Sequence, residues 1–288
     1  MFIGIDASRA FLKKRTGIEE YSYQVIRHLR QALESEQVIL YVRSGQTVDF
    51  ELPEHWRVKK LWAPRFWTQG RLSLEMLLHP PDVLFVPAHT VPIIHPKRTV
   101  VTMHGLEYEF CPSAYAWFER WYMRLSIRFS CRATERIIAV SENTKQDLMR
   151  IYAVPEEKIG VIYEGYAAEN KKQITDNIQH SLLNICYSKP YLLFIGRLEE
   201  RKNIVRIIEA FEILKERYHI PHTLVLAGKS GYGYAKIKST IENLQSKIPI
   251  EELGYVTEEE KWELLKNADV FLFPTLYEGF GIPVLEAQ

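Results

Sequence analysis

The feature that most constrains this chain is a repeated alternation. Short apolar runs are followed by longer segments whose apolar residues recur at helical spacing. The first run covers residues 2–6, and a turn at Thr16 and Gly17 then opens an amphipathic stretch reaching about Leu33. Further runs at 38–42, 58–62, 83–86, 99–103, 136–140 and 159–163 are mostly β-branched and apolar on both faces. Strands covered by helices on both sides require that pattern. From residue 164 to 189 it fades into the polar run AENKKQITDNIQHS, after which a second alternation begins. There the spacing predicts strands at 191–195, 223–227, 251–253 and 269–273, and helices at 203–218, 234–247 and 257–267. Thr257 and Glu260 have the spacing of a capping box at the last of these helices. The expected fold class is therefore α/β, with two doubly wound parallel sheets in domains 1–165 and 190–288 joined by a linker at 166–189.

Composition narrows the function classes. With 288 residues, 47% hydrophobic and 25% charged, the chain can bury a substantial core. Lys and Arg total 37 against 36 acids, so no global field favours nucleic acid as a partner. Cys111, Cys131 and Cys186 form neither a CxxC nor an even framework, which fits structural thiols in a reducing compartment. No basic, then apolar, leader opens the sequence, and its apolar runs break well short of a bilayer span. A cytoplasmic location, with an option of peripheral attachment at the inner membrane face, is the expectation. The sequence stops at Gln288, just inside an expected helix, so a truncated second domain is expected as well.

Two segments concentrate residues suited to chemistry. ADVFLFPTLYEGFGIPVLEAQ reads as a strand, a glycine-containing loop and a helix start, with Pro283 in the first helical turn. Gly279 and Gly281 permit unusual dihedrals, so the backbone N–H groups from Gly279 through Phe280 to Gly281 can point at one ligand. Glu278 on the loop and Glu286, expected in the first helical turn, can converge on sugar or ribose hydroxyls, because each carboxylate accepts two hydrogen bonds. A glutamate in a first turn also stabilises the helix dipole with no ligand at all. The second segment, GRLEERKN, directly follows the strand at 191–195. Arg197 and Lys202 stand where a strand turns into a helix start, a place suited to holding a diphosphate. Glu199, Glu200 and Arg201 crowd the same loop, so a solvated charge cluster is the competing reading.

Elsewhere the signals are weaker. His104 follows an apolar strand, at the end where open sheets bind ligands. Ser141 occupies the matching place after 136–140, with a helix N-cap as its expected job. Arg120, Arg124, Arg128, Arg132 and Arg136 recur at four-residue spacing beside Trp117, Phe118, Trp121 and Tyr122. That series reads either as a solvated helix face packed by its aromatic side or as a contact for an anionic membrane. No GxGxxG follows any strand, which argues against a nicotinamide dehydrogenase.

EGFGIPVLEA resembles the paired-glutamate signature of retaining GT-B glycosyltransferases, especially family 4. The resemblance implies two Rossmann-like domains facing a cleft, with Glu278 on the donor sugar and Glu286 on the nucleotide ribose. GRLEERKN is similar to the family's diphosphate clamp, so Arg197 and Lys202 would stabilise the leaving nucleotide without a divalent metal or other cofactor. FIGIDASR with TGIEEYS resembles the opening of mannosyl- and rhamnosyltransferase-like members. It implies Gly17 as a backbone approach point for phosphates, although Glu19 stands where a small residue is usual. His104 would lie near the transferred sugar, and Glu164-Gly165 replaces a frequent Asn-Gly. The implied reaction moves a hexose from a nucleotide-diphosphate sugar, with GDP-mannose preferred, to a glycan or lipid-linked acceptor with retention. A non-catalytic fragment of such an enzyme is the alternative.

Overall fold

A computed structural model describes the chain except residues 14, 16, 64, 166–189 and 245. The interdomain linker expected at 166–189, with Cys186 in it, lies outside the described residues. The remainder divides into two compact units. One comprises Met1–Leu106 and Trp117–Glu164, the other Glu107–Ala116 and Gly165–Gln288.

In chain order the first half contains β1 (Phe2–Asp6), α1 (Gly17–Ala32), β2 (Gln37–Arg43), β3 (Trp56–Leu61), a π-helical turn (Trp67–Leu72) and α2 (Ser73–Leu78). Next come β4 (Val83–Val86), β5 (Thr99–Met103), α3 (Glu107–Phe110), α4 (Trp117–Ala133), β6 (Arg136–Ala139), α5 (Glu142–Tyr152) and β7 (Ile159–Val161). All seven strands pair in parallel in the order β3-β2-β1-β4-β5-β6-β7. The order reverses between β1 and β4, the kind of place at which open parallel sheets bind ligands beyond the carboxyl ends of their strands. Ile3, Ile5, Val38, Leu40 and Val42 form one face of the core against Ile26 of α1. α5 starts as its sequence requires, with the Ser141 hydroxyl accepting from Thr144 N at 3.0 Å.

The second unit is built from β8 (Tyr191–Ile195), α6 (Ile204–Tyr218), β9 (Thr223–Ala227), α7 (Tyr234–Leu244), β10 (Ile250–Gly254), α8 (Glu258–Asn267), β11 (Val270–Phe271) and α9 (Ile282–Ala287). Its parallel sheet runs β10-β9-β8-β11, with the reversal between β8 and β11. Ile204, Ile207, Ile208 and Phe211 line the buried face of α6 at helical spacing and pack on Leu192, Phe194, Leu224 and Leu226. The Thr257–Glu260 capping box is formed in both directions.

Three expectations need correction. The strand expected at 269–273 pairs only over Val270–Phe271, although bonds from Asp269 N to Tyr191 O and Leu272 N to Leu193 O extend the contact. The arginine series does not stay on one helix: α4 ends at Ala133, and Arg136 opens β6, where its guanidinium donates to the Glu157 carbonyl. α9 begins at Ile282 after Gly281 at φ 97°, and no acidic residue falls in its first turn. Glu286 therefore sits beyond the part of the helix where a carboxylate meets the free N–H groups.

Candidate active site

In the second unit, two loops leave the sheet side by side at the reversal between β8 and β11. They are laced together. Leu276 N donates to Arg201 O at 2.9 Å, Thr275 Oγ1 donates to the same carbonyl at 3.2 Å, and Asn203 Nδ2 donates to Pro274 O at 3.2 Å. The loop after β8 is further pinned by Leu198 N to Lys229 O at 2.8 Å and Glu200 N to Tyr232 O at 3.0 Å. A single turn of 3-10 helix, Glu200–Lys202, then splays successive side chains.

That turn aims two cations at one carboxylate. Lys202 Nζ donates to Glu278 Oε1, and Arg201 Nη1 donates to the same oxygen at 2.7 Å and to Tyr277 O at 2.9 Å. The rest of the Arg201 fork grips Glu199 Oε1, from Nη2 at 2.8 Å and Nε at 3.2 Å. These side chains are 11–20% exposed. Desolvation opposes the Arg201 charge, but Glu278, Glu199 and Glu107 outweigh it and hold the guanidinium above its ordinary range. Lys202 also lies over the Phe273 ring at 5.2 Å, and Phe110 stacks on Tyr277 at 4.3 Å.

The structure thus brings Lys202 and Glu278 together and inserts Arg201 between their loops. Arg197 stands apart: it is exposed, and its stem packs against Gly231, where an added Cβ would lie 2.7 Å from its Cγ. Glu286 is engaged elsewhere, accepting from Lys261 Nζ at 2.7 Å, while Lys261 also meets Glu258 at 2.6 Å. Gly279 is buried, Phe280 partly so, and Gly281 supplies the left-handed turn into α9.

In the first unit, His104 follows β5, and both its ring nitrogens are occupied. Nδ1 lies 2.9 Å from Glu164 Oε1, Nε2 lies 3.0 Å from Pro87 O, and Tyr21 packs edge-on at 4.6 Å. A sugar hydroxyl would have to displace one of those partners. The Glu164 that departs from the usual Asn is therefore the residue fixing the histidine. Glu19 pairs with Arg9 at 3.1 Å, so its negative charge is balanced at the start of α1. Gly17, the first residue of α1, has open space where a side chain would project. His89, after β4, was not singled out by sequence. Desolvation, helped by Arg9 and His104, pushes its imidazole from 6.5 down to about 3. Among the described residues, no group of three or more His, Cys, Asp or Glu side chains gathers to hold a metal.

The sequence names Arg201 and Glu164 without giving either a role in the site, and it offers nothing for His89. Arg201 and Glu164 acquire these partners through space: Arg201 and Glu278 are 77 positions apart, and His104 and Glu164 are 60 apart.

Comparison with known proteins agrees with this architecture. The sequence model "Glycosyltransferase Family 4" matches residues 15–170, more than half the chain, and "Glycosyl transferases group 1" matches residues 178–288. Among curated relatives, O-antigen chain mannosyltransferase B of Escherichia coli is 26% identical, over 95% of this chain and 76% of its own length. Among solved structures, WaaG, a glycosyltransferase involved in lipopolysaccharide biosynthesis, superposes with a TM-score of 0.67 at 18% identity, over 100% of this chain and 78% of that one. Anabaena Alr3699/HepE in complex with UDP-glucose superposes with a TM-score of 0.65 at 15% identity, over 99% of this chain and 77% of that one. These likenesses give the fold as GT-B. The chain is a member of glycosyltransferase family 4.

Proposed function

We propose that the chain transfers a hexose, with mannose from GDP-mannose preferred, from a nucleotide-diphosphate donor to a hydroxyl of a glycan or lipid-linked acceptor, with retention and without a divalent metal. The observation that carries this reading is the cluster of Lys202, Arg201 and Glu278 at the carboxyl ends of β8 and β11. Cations at that place suit the charge that develops on a departing diphosphate. A carboxylate beside them suits the hydroxyls of the sugar. The mannose preference draws on the O-antigen mannosyltransferase relative, and the nucleotide-sugar donor on the UDP-glucose complex of HepE. In this reading Lys202 stabilises the leaving group, Glu278 positions the sugar, and Arg201 orients Glu278. Arg197 and Glu286 would join only after leaving their present surroundings, and His104 orients a hydroxyl by exchanging one of its two partners.

The test compares Glu278→Ala and Glu286→Ala with the parent, using a panel of GDP-, UDP-, ADP- and TDP-sugars and NMR of the product anomer. Glu278→Ala is expected to lower kcat by about a hundredfold with a smaller change in KM, the pattern of a contact made in the transition state. Glu286→Ala is expected to weaken nucleotide binding more than turnover. Undiminished kcat in Glu278→Ala, or an inverted anomer, would overturn the reading. Nucleotide binding with no transfer from any donor would favour the non-catalytic alternative.

A further inference from the structure

Helix α4 turns its aromatic side outward. Trp117, Phe118, Trp121, Tyr122 and Leu125 are all exposed, Trp117 at 81%, while Ser126, Ile127, Ser130 and Cys131 face the interior. Spacings of three and four residues place the exposed five along one side of the helix. The aromatic rings also touch: Phe118 meets Trp117 at 6.0 Å and Trp121 at 6.2 Å between centroids. The reading in which this helix is packed by its aromatic side is therefore excluded within its own unit.

The same side continues into charge. Arg128 and Arg132 follow Leu125 by one and two turns, are exposed, and have no ion-pair partner among the described residues. The helix sequence holds four arginines and one acid, Glu119. Further apolar side chains of the same unit are exposed. Residues 90–94 lie between α4 and the π-helical turn, through Val91 N to Ser130 Oγ at 3.1 Å and Gln69 Nε2 to Val91 O at 3.2 Å. There Ile93 is exposed, as is Leu77 on neighbouring α2.

Broad exposed apolar surface on a folded unit marks an interaction site. Aromatic rings with a polar edge, side by side with unpaired arginines, match the boundary between acyl chains and anionic headgroups. A buried protein interface would have to strip water from those arginines without offering them a carboxylate from this face. We propose that this side of α4, with Trp117, Trp121, Arg128 and Arg132 as its anchors, docks on an anionic membrane surface. The aromatic turns enter the headgroup layer, and the arginines lie over lipid phosphates.

The experiment is co-sedimentation of the whole chain with vesicles of phosphatidylcholine alone or mixed with phosphatidylglycerol, at low and high salt. It uses no donor, so its outcome is independent of the transferase reading. Binding is expected only to the mixed vesicles and is expected to weaken with salt. The double variant Arg128→Gln/Arg132→Gln should bind about 25-fold more weakly, at about fivefold for each arginine near the surface. Trp117→Ser/Trp121→Ser should lose binding with unchanged far-UV circular dichroism. In the parent protein, brominated lipid should quench tryptophan fluorescence, a readout that needs no variant. Equal sedimentation with both vesicle types, absent binding, or absent quenching would overturn the proposal. So would self-association in gel filtration that the tryptophan variant abolishes without any vesicle binding, which would assign the face to a second copy.

Discussion

Replacing Arg201 by methionine keeps a stem of similar length and removes the fork that ties two loops together. Four N–H···O contacts disappear, one to Glu278, one to the Tyr277 carbonyl and two to Glu199. Removing one partner of a buried ion pair costs about 3–5 kcal/mol, because the remaining charge is left uncompensated. Here Lys202 stays on Glu278, and both carboxylates keep 14–20% of their exposure. The expected loss is therefore lower, about 2–3 kcal/mol. It should appear as an earlier urea midpoint and as faster hydrogen exchange at the Leu276 amide, which donates to the Arg201 carbonyl. If Arg201 orients Glu278, kcat should fall by about 10- to 100-fold, the cost of misplacing a reacting group by roughly 1 Å. Arg201→Lys should recover only part of this, since a single ammonium cannot hold two acceptors in one plane. The deciding measurement is the cycle with Glu278→Ala. Without its carboxylate to orient, Arg201→Met should add little further loss in kcat. Full additivity, or a parent-like urea midpoint in the single variant, would refute the reasoning.

Two more outcomes follow from the geometry. Gly228 has φ 148°, and a Cβ there would lie 1.8 Å from the Gly196 carbonyl oxygen, so Gly228→Ala should destabilise the second unit by more than about 3 kcal/mol in urea unfolding. A parent-like midpoint would show that the ends of β8 and β9 can separate. The His89 value of about 3 lies below the ordinary 6.5, so the unfolded chain takes up this proton first, and stability is lost as pH falls from about 6.5 towards 3. At pH 5 the loss from this residue is at most about 2 kcal/mol relative to pH 7.5. His89→Gln should flatten that slope, and an unchanged slope would mean the ring is already protonated in the folded protein.

Much of the fold was legible because parallel strands covered on both faces must be apolar throughout, and that requirement writes itself into runs such as YLLFI and TLVLA. β11 was overestimated because Leu272 and Phe273, which follow it, are just as apolar as the paired residues, while only two positions meet β8. The turn at Trp67–Leu72 and helix α2 went unseen, since a π-helical turn followed by six α-helical residues is too short to display a period. For the site, Lys202 and Glu278 were legible as residue types in recognisable strings. Their direct pairing was not, because it depends on how two loops from neighbouring strands lie against each other. Glu286 shows the converse limit: the string carrying it was found, but its nearest cation, Lys261, belongs to α8 and shares no motif with it.

The contact between Lys202 and Glu278 gives the second unit its own resident counterion. Under the proposed function, a donor arriving there would not meet a bare positive charge; it would have to exchange places with a carboxylate already hydrogen-bonded to the cation. Small inorganic anions, which offer nothing to the released glutamate, should compete poorly. On the same reading a nucleotide sugar would supply phosphate for the lysine and hydroxyls for the glutamate at once, so the exchange would favour a ligand that carries both halves.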